Sequence, residues 1–133
     1  MIAETCLRVE READVVAARQ KGRELAALAG ICGSDLTVVA TAISEITRNI
    51  IAYAERGEIV LKIARRGQRQ GVVIIVSDEG PGIADIDMAM RDGFSTGKSL
   101  GLGLPGAKRL MDEFEIVSEA GKGVTVMMAK WSR

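Results

Sequence analysis

The sequence predicts a two-layer α/β sandwich, a mixed and mostly antiparallel sheet with its helices on one face. Three observations predict it. Apolar residues recur at steps of three and four over two long stretches in the first half of the chain, the period of a helix with one buried face. Two β-rich runs, EIVLKIARR at 58–66 and QGVVIIVSD at 70–78, are joined by a basic turn containing Gly67, which reads as a hairpin. A second pair of runs, FEIVSEA and VTVMMAKW, meets across Gly121-Lys122-Gly123. Hairpins in place of alternating strand–helix units gather the helices on one side of the sheet. With 133 residues, one domain spanning 1–133 is expected.

The elements follow in order. Residues 5–10 (TCLRVE) alternate weakly and read as an edge strand. Glu10, Glu12 and Asp14 precede an apolar stripe at Val15, Ala18, Gly22, Leu25 and Ala29. Early negative charge suits a helix N-terminus, and Gly30 and Gly33 close that helix. Ser34 is a natural N-cap for a longer helix reaching Ala54, with Leu36, Val39, Ala40, Ile43, Ile46 and Ile50 on its buried face. The run Val72 to Val76 is apolar at successive positions, as in a central strand. Glycines and a proline punctuate 79–103, with one short helical stretch near 85–91. A helix with Leu104, Ala107, Met111 and Phe114 on one side then leads into the last two strands.

Composition narrows the chemistry. The 18 basic and 18 acidic residues cancel, so no global field draws in nucleic acid or an anionic membrane. Histidine is absent, which excludes histidine triads, histidine-ligated metals and a phosphohistidine relay within this chain. Cys6 and Cys32 lack CxxC spacing and read as buried, reduced cytosolic thiols. One Trp, one Tyr and two Phe offer little stacking surface for single-stranded nucleic acid. The opening MIAETCLRVEREAD is too charged for a signal peptide, so a cytoplasmic protein is expected.

Two glycine-rich patterns mislead. GLGLPG at 101–106 matches GxGxxG but follows a long irregular stretch instead of a strand, so a dinucleotide turn is rejected. DGFSTGKS at 92–99 has Gly97, Lys98 and Ser99 in P-loop order, yet Asp92 stands where the first glycine is required. The informative signal is scattered. Glu45 and Asn49 lie one helical turn apart, beside small residues including Thr41, Ala42 and Ala52. Taken alone, such a pair reads as a solvated face. Asp78 ends the most apolar strand and opens DEGPG; it reads either as the start of a turn or as a functional acid. Gly101 and Gly103 lead into a helix start, where backbone N–H groups attract anions.

In this order, an ExxxN helix, a strand ending in DEGPG and a GLGLP helix start, the chain resembles the GHKL ATPase/kinase superfamily. ARQKGRELA, TAISEITRNI, DEGPGI, DGFST, GLGLPGAKRLMDEF and the C-terminal KW resemble its serine/threonine switch kinases of bacterial stress signalling. The resemblance implies ATP and Mg²⁺ as cofactors. It implies Asp78 as the acceptor for the adenine amino group, with Gly80, Gly82 and Ile83 against the base. Asn49 would ligate the metal, and Glu45 would take the proton of the attacking hydroxyl. Gly97, Gly101, Leu102 and Gly103 would hold the phosphates, 93–100 would form a short lid, and Lys98, otherwise a solvated loop lysine, would neutralise transition-state charge.

Two positions depart from the family pattern. Tyr53 stands where many relatives carry a histidine, four residues beyond the asparagine. The family's adenine-bracing threonine is displaced: Val124 follows Gly123, and Thr125 comes one position late, on the opposite strand face. The resemblance further implies a STAS-domain substrate of the stressosome and activation of a PP2C-type phosphatase, with no nucleic acid and no membrane as partner. Two other readings share the site: an anti-sigma factor with kinase activity, and a partner-switch module that binds nucleotide without catalysis. The basic turn at 65–69 and the acidic stretch at 112–115 read as solvated faces or docking surfaces.

Overall fold

A computed structural model describes residues 4–54, 56–78, 103–119 and 123–132. The described elements are β1 (Glu4–Val9), α1 (Glu12–Leu28), α2 (Ser34–Ala54), β2 (Gly57–Arg66), β3 (Arg69–Asp78), α3 (Gly103–Leu110), β4 (Glu113–Glu119) and β5 (Gly123–Trp131). The five strands form one sheet in the order β1-β2-β3-β5-β4, and all four pairings are antiparallel. The expected order of elements and the hairpin 57–78 are thus present. Cys6 and Cys32, expected to be buried, are instead exposed: Cys6 takes an outward position on the edge strand β1, and Cys32 lies in the link between α1 and α2. An antiparallel neighbourhood also removes the parallel unit that a dinucleotide turn requires.

Strand alternation decides what the helices cover. On the central strand β3, Val72, Ile74, Val76 and Asp78 are buried, while Val73, Ile75 and Ser77 between them are half-buried. Ile59 and Leu61 of β2 and Val126 and Met128 of β5 share the buried side. Leu25 of α1, Ile43 and Ile46 of α2 and Ala107 of α3 complete one contiguous core with them. α1 lies close to α2 at Gly22, where a Cβ would meet the tip of the Ile43 side chain and oblige it to shift. At its start, α1 is held by Asp14, whose carboxylate accepts the backbone N–H groups of Glu10 and Arg11. Those bonds place its pKa below the ordinary carboxylate value.

The third helix is shorter than its pattern predicts. Phe114 belongs to β4, opposite Met128, and the helix stops at Leu110. The Asp112 N–H leaves the helical ladder and donates to the Ala129 carbonyl at 2.9 Å. Phe114 lies three residues after Met111, so a strand residue facing the core imitates a helical step. Lys130 then secures the helix end. Its side chain is buried, its Nζ donates to the Leu110 carbonyl at 3.2 Å, and it lies 3.5 Å from Asp112 Oδ1. A cation on the last carbonyls of a helix satisfies an orphan acceptor and opposes the helix dipole.

The basic turn and the acidic stretch meet each other. Arg66 Nη1 lies 2.8 Å from Glu113 Oε2, and the guanidinium stands 4.6 Å from the centre of the Trp131 ring. The Trp131 indole N–H donates to the same carboxylate oxygen at 2.6 Å. The hydrogen bond from Arg66, and secondly that from Trp131, hold the Glu113 carboxyl below its ordinary value of 4.5. A pKa depressed on folding stabilises fully above the unfolded value, and the contribution disappears as pH falls through the folded value. Glu113→Gln is therefore expected to lower the urea midpoint at pH 7, and the difference from the parent chain is expected to shrink as the pH falls from 4.5 through the lower folded value. Circular dichroism of both chains across that range checks it.

Candidate functional site

The centre of α2 is buried on nearly every side. Residues 42–47 are all buried, because α2 packs against α1, α3, β2 and β3 together. Polar side chains in such a place need partners. Ser44 and Thr47 find them within the helix, their hydroxyls donating to the carbonyls of Ala40 at 3.0 Å and Ile43 at 2.7 Å. Glu45 and Asn49 are 3% and 5% exposed, so the pair is not a solvated face. Asn49 donates its Nδ2 to the Glu45 carbonyl at 2.9 Å. That bond commits the amide nitrogen to the helix and leaves the carbonyl oxygen as the end able to meet a ligand.

A second buried acid closes the central strand. Asp78 is 8% exposed and its Oδ2 atom is fully buried. Gly123 of β5 presses directly against it. A Cβ at Gly123 would overlap the Asp78 carbonyl oxygen and would sit 3.0 Å from Oδ1, and φ there is 92°. Both observations require glycine. A cavity of about 240 Å³, lined by Arg8, Glu10, Arg56, Gly57, Glu58, Ser77 and Asp78, reaches Asp78 from the strand ends and includes neither Glu45 nor Asn49.

Thr125 does not stand beside Asp78. It is exposed and pairs with Ser77 and Val117 on the sheet face away from the helices. Val124 is buried, on the side that carries Asp78. The one-residue displacement seen in the sequence therefore puts the threonine on the sheet face opposite Asp78. Thr125→Ala is expected to change ATP affinity by no more than about twofold, the usual effect of a surface substitution; calorimetric titration checks this. Gly103 opens α3. Gly80, Gly82, Ile83, Gly97, Lys98, Gly101 and Leu102, together with the helical stretch near 85–91, lie outside the described residues.

Three positions carry weight that sequence reasoning did not assign. Gly123 reads as an ordinary turn glycine, and Lys130 as a charge on a strand. Arg48 approaches Glu45, with Nη1 3.9 Å from Oε1, and its Nε donates to Glu12 Oε1 at 3.2 Å. Its only signal is the three-residue spacing from Glu45 on one helix.

These groups fit a magnesium nucleotide. Asn49 offers a neutral, hard oxygen suited to Mg²⁺. Asp78 offers an acceptor-only group suited to an adenine amino donor, against a glycine that leaves no side chain in the way.

The described sheet is five-stranded and antiparallel, with a buried carboxylate–amide pair in the helix layer and an acid at the end of its central strand. The chain belongs to the histidine kinase-like ATPase domain family, whose profile matches residues 9–130. It is 50% identical over 131 residues to the serine/threonine-protein kinase RsbT of Bacillus subtilis, covering 98% of each chain. It is 36% identical over 100 residues to an anti-sigma F factor of Clostridium kluyveri, covering 72% of this chain and 70% of that one. Among solved structures it superposes on the RsbU and RsbW domains of Rv1364c from Mycobacterium tuberculosis with a TM-score of 0.62 at 24% identity. That match covers 98% of this chain and 32% of the solved one. A mycobacterial sensor histidine kinase, MprB, superposes with a TM-score of 0.59 at 13% identity, covering 98% of this chain and 99% of that one. Both show the shared fold. Among the described residues no helix is long and apolar enough to cross a membrane.

Proposed function

We propose that this chain is a cytoplasmic protein serine/threonine kinase that transfers the γ-phosphoryl group of Mg-ATP to a STAS-domain protein of a stressosome, and that it switches partners to activate a PP2C-type phosphatase. The observation that carries the catalytic reading is the buried Glu45, one turn before an asparagine whose amide nitrogen is tied to the Glu45 carbonyl. Binding alone does not require a carboxylate at that point. Identity of 50% to a serine/threonine-protein kinase across nearly the whole chain supports the same activity.

In this reading Asp78 accepts the adenine amino group and selects adenine over guanine, which would present an oxygen there and leave a buried charge facing another acceptor. Asn49 holds the metal through its carbonyl oxygen. Bound Mg-ATP supplies the transferable phosphoryl group and, through its metal, neutralises charge on the phosphates. Glu45 takes the proton of the acceptor hydroxyl as that oxygen bonds to the γ-phosphorus and the bond to the bridging oxygen breaks, releasing ADP. Gly97, Gly101, Leu102 and Gly103 bind the phosphates through backbone N–H groups, Lys98 neutralises developing charge, and Gly80, Gly82 and Ile83 border the base. Without histidine anywhere in the chain, no phosphohistidine forms on the chain itself, and the 50% identity to a serine/threonine-protein kinase supports a hydroxyl as the acceptor.

Incubation with labelled ATP and Mg²⁺, with and without a STAS-domain protein, followed by mapping of the modified residue, tests the proposal. Label on a serine or threonine of the STAS protein supports it. A second reading, an anti-sigma factor with kinase activity, is favoured by the 36% identity to an anti-sigma F factor. Retention of a sigma factor on the immobilised chain would select that reading instead.

A further inference from the structure

We propose that Arg48 is a positioning residue for Glu45, held in place from the neighbouring helix by Glu12. The inference rests on the reading of Glu45 as the base and adds to it. Arg48 sits between the two buried site residues in sequence, three positions after Glu45 and one before Asn49. Its Nε donates to Glu12 Oε1 at 3.2 Å, in the first turn of α1, while Nη1 approaches Glu45 Oε1 at 3.9 Å.

The two contacts differ in their surroundings. The Glu12 side chain is 68% exposed, so its pair with Arg48 adds little to stability by itself. The Glu45 side chain is 4% exposed, and a guanidinium beside a buried carboxylate acts in a medium that screens it poorly. A guanidinium is planar and offers donors along two edges. With its Nε edge engaged by α1, its Nη1 end is confined to the Glu45 side of α2. Glu12 thereby restricts Arg48, and Arg48 restricts the rotamer of the Glu45 carboxylate. A base must stand within hydrogen-bond reach of the proton it removes, and misplacement by about 1 Å costs on the order of a hundredfold in rate.

Steady-state phosphoryl transfer from ATP to a STAS-domain protein, run in parallel with acceptor-free ATP hydrolysis, tests the proposal on Arg48→Met, Arg48→Lys, Glu12→Gln, Glu45→Ala and the Glu45→Ala/Arg48→Met double variant. Arg48→Met is expected to lower kcat about ten- to a hundredfold with KM for ATP within about twofold. Arg48→Lys recovers part of the loss, and Glu12→Gln shows a smaller loss in the same direction. In the Glu45→Ala background, Arg48→Met has no further effect, because Arg48 acts through the missing carboxylate. Unchanged kcat in Arg48→Met overturns the proposal, and so does an additive loss in the double variant or a loss that follows a lowered melting temperature. If Glu45→Ala itself retains full turnover, the base assignment fails and this inference with it. A loss in Glu45→Ala without one in Arg48→Met removes the inference alone.

Discussion

Glu45→Ala is expected to bind ATP as the parent chain does while phosphoryl transfer falls at least about a hundredfold, the customary worth of a positioned general base. The expectation follows from the burial of the carboxylate. Glu45 is 3% exposed in the middle of a helix covered by two other helices and the sheet. A carboxylate is costly to hold in such a place, and structural gain alone is weak grounds for keeping it. Alanine fits a helix well and leaves a small gap, so the fold is expected to survive. Calorimetric titration with ATP and a labelled transfer assay measure the two halves of the expectation. Equal transfer by both chains would remove Glu45 from the proton path, and loss of ATP binding would make it a binding residue.

Asp78→Asn is expected to act on the other half, weakening ATP binding about ten- to a hundredfold, the loss of one hydrogen bond to a charged acceptor. The substitution keeps the shape of the side chain. It replaces one acceptor oxygen with a donor in a site where Gly123 leaves no room for adjustment. Titration of the variant with ATP measures this, and the ratio of ATP to GTP affinity is expected to fall at the same time. An unchanged affinity would place the base elsewhere.

The sandwich was legible because its periods are distinct. Val72, Ile74 and Val76 alternate against Val126 and Met128, and the stripe Val15, Ala18, Gly22 and Leu25 is buried at helical spacing. The misreading of Phe114 shows where period fails: three residues after Met111, a strand side chain and a helix side chain both reach the core. Burial around all sides of α2 was equally hidden. Pattern shows the apolar stripe, whereas the cover over Ser44, Glu45, Thr47 and Asn49 comes from α1, α3 and the sheet packing at once. Strand parity, in contrast, was readable: it put Thr125 on the face away from Asp78, where the structure has it. The close fit of Gly123 on Asp78 and the link from Glu12 through Arg48 join residues 45 and 36 positions apart, and no local pattern encodes them.

The central claim is that the pair Glu45/Asn49 and the acid Asp78 serve one nucleotide. A crystal structure of the chain with Mg²⁺ and a non-hydrolysable ATP analogue measures it most directly. The account predicts the adenine amino group on the Asp78 carboxylate and the metal on the Asn49 carbonyl oxygen of the same molecule. A nucleotide touching only one of the two groups, or neither, would contradict it.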